Sequence, residues 1–120
     1  MAGYRVGRVS EDIKREIVAV IRELKDPRVR DKILTVVRVD VSSDLSFAKV
    51  YVSSMSGIED AKEAVKGLTS ATGLIRREVG SKLHLRKTPE LKFIADDSIE
   101  HGMEILKKIE STTNTYDIEE

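Results

Sequence analysis

The chain has 120 residues, of which 40% are apolar, and it contains no cysteine. This size supports one domain with a single core, and the absence of thiols excludes a disulfide framework and a thiolate metal site. No apolar run approaches the ~20 residues that a membrane-spanning helix needs. The N-terminus also lacks the apolar segment of a signal peptide, so we expect a cytoplasmic protein.

Charge is distributed unevenly along the chain, although the formal net charge is +0 at pH 7. Residues 1–88 contain 18 lysines and arginines against 12 aspartates and glutamates, whereas residues 89–120 contain 3 against 9. A basic body with an acidic end is typical of a domain that presents cations to a polyanion, and nucleic acid is the first partner to test. The alternative is chance sorting in a chain whose residues are 35% charged.

The first predicted element is a helix that begins at Ser10. Two acidic residues follow this serine, which is typical of an N-cap with acids in the first helical turn. Apolar residues then recur at helical spacing over residues 13–24. The dipeptide Asp26-Pro27 is expected to end the helix.

Two strands are predicted next, over residues 33–41 and 47–53. Both alternate apolar with polar side chains, which is the period of a half-buried strand, and Ser42, Ser43 and Asp44 between them supply turn chemistry. We therefore expect an antiparallel hairpin with one face turned inward. The inward side chains of the first strand would be Val37, Val39 and Val41, and the outward side chains of the hairpin would be Arg38, Lys49 and Tyr51.

A long helical pattern follows over residues 61–83 and continues almost unbroken through residues 71–73. Because the apolar period persists there, we predict two helices that meet at a kink rather than two helices separated by a loop. The second helix is expected to end at Thr88-Pro89, since the residue before a proline avoids the helical region.

The rest of the chain is predicted to add a third strand, over residues 91–95, and a last helix. Asp96, Asp97 and Ser98 would cap that helix, which carries apolar residues between positions 99 and 109. Residues 111–120 show no periodicity and are expected to form a disordered acidic tail. The order helix, strand, strand, kinked helix pair, strand, helix predicts an α+β fold, with a KH-like module in residues 1–110.

The second half of the kinked pair is predicted to carry a ridge on which glycines alternate with cations. A glycine within a helix costs about 1 kcal/mol relative to alanine, and its missing side chain lets a bulky anion such as a phosphate come close. Arginines beside it supply planar donors that match phosphate oxygens. The ridge comprises Gly73, Arg76, Arg77, Gly80 and His84, with charge added by Lys82, Arg86 and Lys87 near the helix end. The opposite side, with Ile75, Val79 and Lys82, would pack on the sheet.

The alternative interpretation of this ridge is a solvated helix face. Arg5 and Arg8 belong to a basic N-terminal arm that we count among the candidate RNA contacts, with a frayed basic terminus as the alternative. Phe47 and Tyr51 are expected to pack on the sheet, because aromatic residues make up only 4% of the chain and a base-stacking surface needs several.

Catalysis finds little support in the sequence. The chain contains no GxxxxGK[ST], HExxH or GxSxG motif and no His/Asp/Glu cluster at metal-ligand spacing. Asp96 and Asp97 are paired carboxylates, but their position before Ser98 favours helix capping. We therefore expect a protein without enzymatic activity, cofactor or metal.

The chain resembles the bacterial ribosome-binding factor A family. The matching segments are LKDPRV at the end of the first helix, VSSDLSFAKVYVS in the hairpin, and SATGLIRREVGSKLHLRKTPELKFIADDS across the kinked pair. The resemblance extends from residue 4 to about residue 106. It implies a single type II KH-like domain of αββααβ order, in which a helix-kink-helix with an Ala-x-Gly signature replaces the usual GxxG loop. Ala71, Thr72 and Gly73 match that signature.

The resemblance also implies a function. Members of this family bind the free 30S small ribosomal subunit, contact 16S rRNA, and assist late maturation that includes processing of the 16S rRNA 5′ end. They are needed most in the cold, have no known catalytic activity, and are commonly released with the help of an assembly GTPase. We therefore expect a monomeric, RNA-binding factor of ribosome biogenesis. The alternative is a protein-interaction module that uses its sheet and acidic tail and does not contact RNA.

Overall fold

The computed structural model describes the backbone of residues 2–98 and the side chains of residues 7–98. Two helices come first, α1 (Ala2–Glu23) and the short α2 (Pro27–Arg30), and the strands β1 (Leu34–Val41) and β2 (Phe47–Ser54) follow. The helices α3 (Ile58–Ser70) and α4 (Thr72–Leu83) then lead to strand β3 (Glu90–Ala95). The predicted last helix and the predicted tail over residues 111–120 lie outside the described residues.

The three strands form one mixed sheet in the order β1-β2-β3. β1 and β2 pair in antiparallel fashion, as predicted for the hairpin. β2 and β3 pair in parallel, because the helices α3 and α4 carry the chain back across one face of the sheet before β3 begins. The prediction of an α+β fold with αββααβ order is confirmed, with α2 as a short addition.

One hydrophobic core lies between the helices and the inner face of the sheet. Its largest fully buried side chains are Ile13 and Ile17 from α1, Leu68 from α3, and Ile75 from α4. Val50, in the central strand, faces them and is also fully buried. Burial of each such side chain contributes about 1.5–3 kcal/mol, so this core sets where α4 can lie.

Helix α1 begins at Ala2, and the prediction of an N-cap at Ser10 is wrong. The reason is the apolar stripe. Val9 packs against the core one helical turn before Ile13, which lies one turn before Ile17, so the chain gains from staying helical through Ser10. The segment interpreted as an N-terminal arm is therefore part of a helix.

The short helix α2 was not expected, because Asp26-Pro27 looked like a helix stop alone. Asp26 is its N-cap: one carboxylate oxygen accepts from the Arg28 backbone N–H at 2.9 Å, and Pro27 occupies the first turn. The Arg28 guanidinium also donates to Asp26 at 2.7 Å, and these hydrogen bonds hold the pKa of Asp26 below its ordinary value. Asp followed by Pro is a helix start signal as well as a stop signal.

Strand β1 departs from the predicted alternation at a β-bulge. The pairing register shifts between Val36, opposite Val52, and Arg38, opposite Tyr51, so Val37 is the extra residue. Consequently Val36 is buried instead of Val37, and the prediction that Val37 faces the core is wrong. Arg38 is exposed, as predicted, and its guanidinium lies 4.3 Å from the centroid of the Tyr51 ring.

The turn between β1 and β2 is organised by Asp44. Its carboxylate accepts from the hydroxyls of Ser46 and Ser42, each at 2.7 Å, and from the Ser46 backbone N–H at 3.1 Å. These hydrogen bonds favour the charged form and lower the pKa of Asp44 from 3.8 to about 2. The predicted turn chemistry of residues 42–44 is confirmed.

Candidate nucleic-acid interface

The junction between α3 and α4 is a kink of a single residue, Ala71. Its backbone N–H donates to the carbonyls of Gly67 at 3.2 Å and Leu68 at 3.1 Å, and its carbonyl accepts from Ile75 at 3.0 Å. The hydroxyl of Thr72 donates back to the Thr69 carbonyl at 2.7 Å. Hydrogen bonding therefore continues through the junction, and the prediction of a kink without a loop is confirmed.

Gly73 lies in open space at the start of α4. It is the second residue of the helix, not a residue of the helix middle, and it is exposed. A Cβ built on its backbone would meet no heavy atom within 4 Å beyond the immediate chain. Nothing in the described part of the molecule therefore requires a glycine here. The adjacent Leu74 is 40% exposed, so the surface at the kink is also partly apolar.

Gly80, by contrast, has an explanation within the molecule. A Cβ at this position would overlap the hydroxyl oxygen of Thr88, which lies directly against it. Gly80 thus allows the chain that follows α4 to pass close to the helix. The sequence placed Gly80 beside Gly73 on one ridge, but the two glycines face different surroundings.

Arg76 also differs from its ridge neighbour Arg77. Its guanidinium donates from Nη2 to the Thr88 carbonyl at 2.9 Å and from Nε to the Pro89 carbonyl at 3.1 Å, and the side chain is partly buried. The Arg77 side chain is exposed. The predicted ridge is therefore divided, with Arg76 and Gly80 turned towards residues 88–89 and Gly73 and Arg77 turned towards solvent.

The packing side of α4 agrees with the prediction at Ile75 and Val79, which are both fully buried. Lys82 does not pack on the sheet as expected, and it is exposed. The reason is that Leu83 takes the core side of the last turn. α4 ends at Leu83 rather than at Thr88-Pro89, and Leu83 packs against the core while Lys82, beside it, faces solvent.

The early end of α4 comes from His84, which adopts a left-handed conformation with φ 52°. The Leu85 backbone N–H then donates to the Gly80 carbonyl at 3.1 Å, and Leu85 packs against the core. Arg86 and Lys87 consequently belong to a connecting segment and not to the helix. Leu83 and Leu85 are two residues apart, and such residues do not share one face of a helix. This spacing was the signal in the sequence that the helix ends here.

Four exposed cations lie along α4 and the connection that follows it. The members are Arg77 and Lys82 on α4 and Arg86 and Lys87 on the connection, and we call them the α4 cation cluster. None of the four forms an ion pair with another described residue. Elsewhere some cations are paired with carboxylates, namely Arg15 with Asp12, Arg28 with Asp26, Lys32 with Glu63, Arg38 with Asp40 and Lys62 with Glu59, whereas others, such as Lys49 and Lys92, have no such pair among the described residues.

The N-terminal candidates are not brought into this cluster by any described contact. Arg8 is exposed on α1, and the side chain of Arg5 lies outside the described side chains. Between residues 7 and 98, no group of three or more His, Asp or Glu side chains could hold a metal ion. Nor is any helix in the described part of the chain long and apolar enough to cross a membrane.

The family model for ribosome-binding factor A matches residues 5–109 of this chain. The chain belongs to that family. Among its relatives, the ribosome-binding factor A of Clostridium tetani is 49% identical over 106 residues, which cover 88% of this chain and 87% of the relative. That of Acetivibrio thermocellus is 49% identical over 110 residues, covering 91% and 89%.

Solved structures of family members share the fold. The crystal structure of ribosome-binding factor A from Thermus thermophilus matches with a TM-score of 0.66 at 28% identity, covering 75% of this chain and 93% of that one. A homology model of the Thermus thermophilus factor, fitted into a cryo-EM map of its complex with the 30S subunit, matches with a TM-score of 0.57 at 30% identity. It covers 69% of this chain and 86% of that one.

Sequence reasoning missed the segment that receives Arg76 and Gly80. The backbone of Thr88 and Pro89 forms this segment, and a backbone carbonyl leaves no mark in a residue pattern. Pro89 is fully buried, which a proline interpreted only as a helix stop does not reveal.

Proposed function

We propose that this protein binds the free 30S ribosomal subunit through 16S rRNA and assists its late maturation, including processing of the 16S rRNA 5′ end, without catalysing a reaction itself. It would act in the cytoplasm as a monomer, matter most in the cold, and leave the subunit with the help of an assembly GTPase. Its relatives carry the name ribosome-binding factor A, and the Thermus thermophilus factor has been fitted into a map of a 30S complex.

The observation that carries this proposal is the α4 cation cluster beside an exposed glycine. Four cations without carboxylate partners among the described residues leave a local excess of positive charge, which a polyanion would neutralise. Gly73 leaves space at the kink for a backbone to come close, and no neighbour within the described chain fills that space. Ala71 and Thr72 shape the kink that presents it, and His84 closes the other end of α4.

The test is co-sedimentation with free 30S subunits across a salt series. Reversing Arg77 and Lys82 to glutamate places two negative charges in the cluster. The matched control reverses Lys49 and Lys92, which are exposed neighbours in the register of β2 and β3 on the opposite side of the sheet. Both double variants change the net charge equally, so a non-specific effect of charge would weaken both.

We expect the Arg77→Glu/Lys82→Glu variant to lose sedimentation with the subunit at moderate salt and the control variant to retain it. Binding of the unmodified protein should weaken steeply as salt rises, because phosphate contacts release counterions. If the variant of the cluster still sediments like the unmodified protein, the cluster is not the RNA-binding surface.

The second candidate, a protein-interaction module, is favoured by a different surface. Ile33 is 72% exposed and Met55 is 49% exposed, and the Met55 backbone N–H donates to the Ile33 carbonyl at 3.1 Å. Two exposed apolar side chains thus lie next to each other where β1 begins and β2 ends. If binding to the subunit hardly changes with salt and is lost in the Ile33→Ser/Met55→Ser variant, this second function replaces the first.

A further inference from the structure

The connection between α4 and β3 is anchored on both sides of its exposed residues. On the near side, Leu85 packs against the core and its backbone N–H donates to the Gly80 carbonyl. On the far side, Pro89 is fully buried and Thr88 lies against Gly80. The two residues between these anchors, Arg86 and Lys87, are exposed.

Arg76 strengthens the far anchor directly. Two N–H groups of its guanidinium donate to consecutive backbone carbonyls, those of Thr88 at 2.9 Å and Pro89 at 3.1 Å. A planar fork with two donors fixes both the position and the orientation of the backbone it binds, which a single donor cannot do. Arg76 therefore holds the backbone immediately after Lys87 against α4.

The consequence is that Arg86 and Lys87 are presented on a backbone that is already ordered. A mobile connection would lose conformational freedom on binding an anion, and that cost would subtract from affinity. Lys87 also borders a cavity of about 370 Å³ that includes Phe47 and Thr88 in its lining. Arg76 and Glu90 line the same cavity. Two donors of Arg76 are already used by the Thr88 and Pro89 carbonyls, and the Glu90 carboxylate would repel an anion there, so we place the anion on the Arg86 side of Lys87.

We propose that residues 84–87 form the principal phosphate-contacting element of this protein, and that Arg76 is a positioning residue for that element and not an RNA contact. This inference rests on the proposed function, and it assigns different roles to two adjacent arginines. Arg77 contacts phosphate from the helix, whereas Arg76 acts through the backbone of Thr88 and Pro89.

A double-mutant cycle on binding to a 16S rRNA fragment separates positioning from contact. The first change is Arg76→Met, which removes both donors. The second is Arg86→Gln/Lys87→Gln, which removes the charges that Arg76 is proposed to position. The matched control cycle replaces Arg76→Met with Arg77→Met. The affinity and its dependence on salt are measured for every variant with the full chain.

Arg86→Gln/Lys87→Gln should reduce the slope of log affinity against log salt by roughly 1.4–1.8, about 0.7–0.9 for each phosphate that is no longer neutralised. Arg76→Met alone should weaken binding by about three- to tenfold, and it should weaken binding less than about twofold once Arg86 and Lys87 are neutral. Arg77→Met should weaken binding by the same factor in both backgrounds. Equal effects of Arg76→Met in the two backgrounds would overturn the inference.

Arg76→Lys provides the second variant if Arg76→Met does not fold. It keeps the charge but offers a point charge in place of the fork, so it should still show the non-additive pattern with Arg86→Gln/Lys87→Gln. Additive behaviour of Arg76→Lys would overturn the inference in the same way. If the unmodified protein shows no salt-dependent binding to the fragment, the proposed function fails and the inference fails with it. If the protein does bind the fragment but the cycles are additive, the inference is wrong and the proposed function stands.

Discussion

Replacement by alanine should have opposite effects on stability at the two glycines of α4, Gly73 and Gly80. Gly73→Ala places a methyl group in open space, so the variant gains the helix propensity of alanine without a clash. Because Gly73 is in the first turn, the gain is about 0.5–1 kcal/mol. For a chain of this size, this corresponds to a rise in melting temperature of roughly 2–5 °C.

Gly80→Ala gains about 1 kcal/mol of propensity in the helix interior but puts its methyl group into the hydroxyl of Thr88. Overpacking of this kind costs about 1–3 kcal/mol, and Arg76 holds the Thr88 backbone so that it cannot easily move away. The net result should be a loss of up to about 2 kcal/mol. Melting followed by circular dichroism, with urea unfolding as a second measurement, gives the difference.

Removing the Thr88 hydroxyl should reverse the sign of the stability change that Gly80→Ala causes. In a Thr88→Ala background the remaining Cβ lies 3.7 Å from the added methyl group, which is an ordinary contact, so Gly80→Ala should become stabilising by up to about 1 kcal/mol. The coupling between the two positions should therefore be about 1–3 kcal/mol. If Gly80→Ala stabilises the protein as much as Gly73→Ala does, Thr88 simply rotates away and the close approach is not what requires the glycine.

Three further changes test other parts of the structure. Gly73→Ala should weaken co-sedimentation with free 30S subunits although it stabilises the fold. Unchanged binding would show that the kink is not part of the interface. Gly67→Ala should destabilise by about 1–3 kcal/mol, because its Cβ would lie 2.8 Å from the Val29 side chain; Val29→Ala should relieve this loss, and thermal melts of the single and double variants check it. Asp44→Ala should lower the melting temperature at pH 7. Folding lowers the pKa of Asp44 to about 2, so its charged form stabilises the folded state fully above the unfolded pKa near 3.8 and loses this effect as pH falls towards 2. The difference in melting temperature between Asp44→Ala and the unmodified protein should therefore shrink over that pH range.

The predictable part of the fold was the part carried by apolar periodicity. The pattern through residues 71–73 predicted a kink correctly because a core that packs both helices leaves one continuous stripe in the sequence. Val37 was placed wrongly because a bulge adds one residue without changing composition. Ser10 was taken for a helix start because its own neighbourhood fits a cap, whereas Val9 decides the question through a contact with the distant core.

The candidate site was predictable in composition but not in the division of roles. A helical wheel assumes that every residue on one line faces the same medium. Past Leu83 this fails, because the chain turns back along α4 and its backbone covers one edge of the ridge. Arg76 and Gly80 lie on that edge and Arg77 and Gly73 do not, and no spacing rule distinguishes them.

This division decides what a binding experiment on α4 can report. A change at Arg76 or Gly80 alters the connection, so a loss of affinity there can come from a displaced Arg86 or Lys87 and does not identify a contact. A change at Gly73 or Arg77 alters neither the connection nor the core. No neighbour within the described residues requires a glycine at position 73, so alanine there tests the proposed contact at the kink without disturbing the packing. The surface that should be mapped first therefore joins residues 84–87, the proposed principal contact, to the solvent side of Gly73 and Arg77.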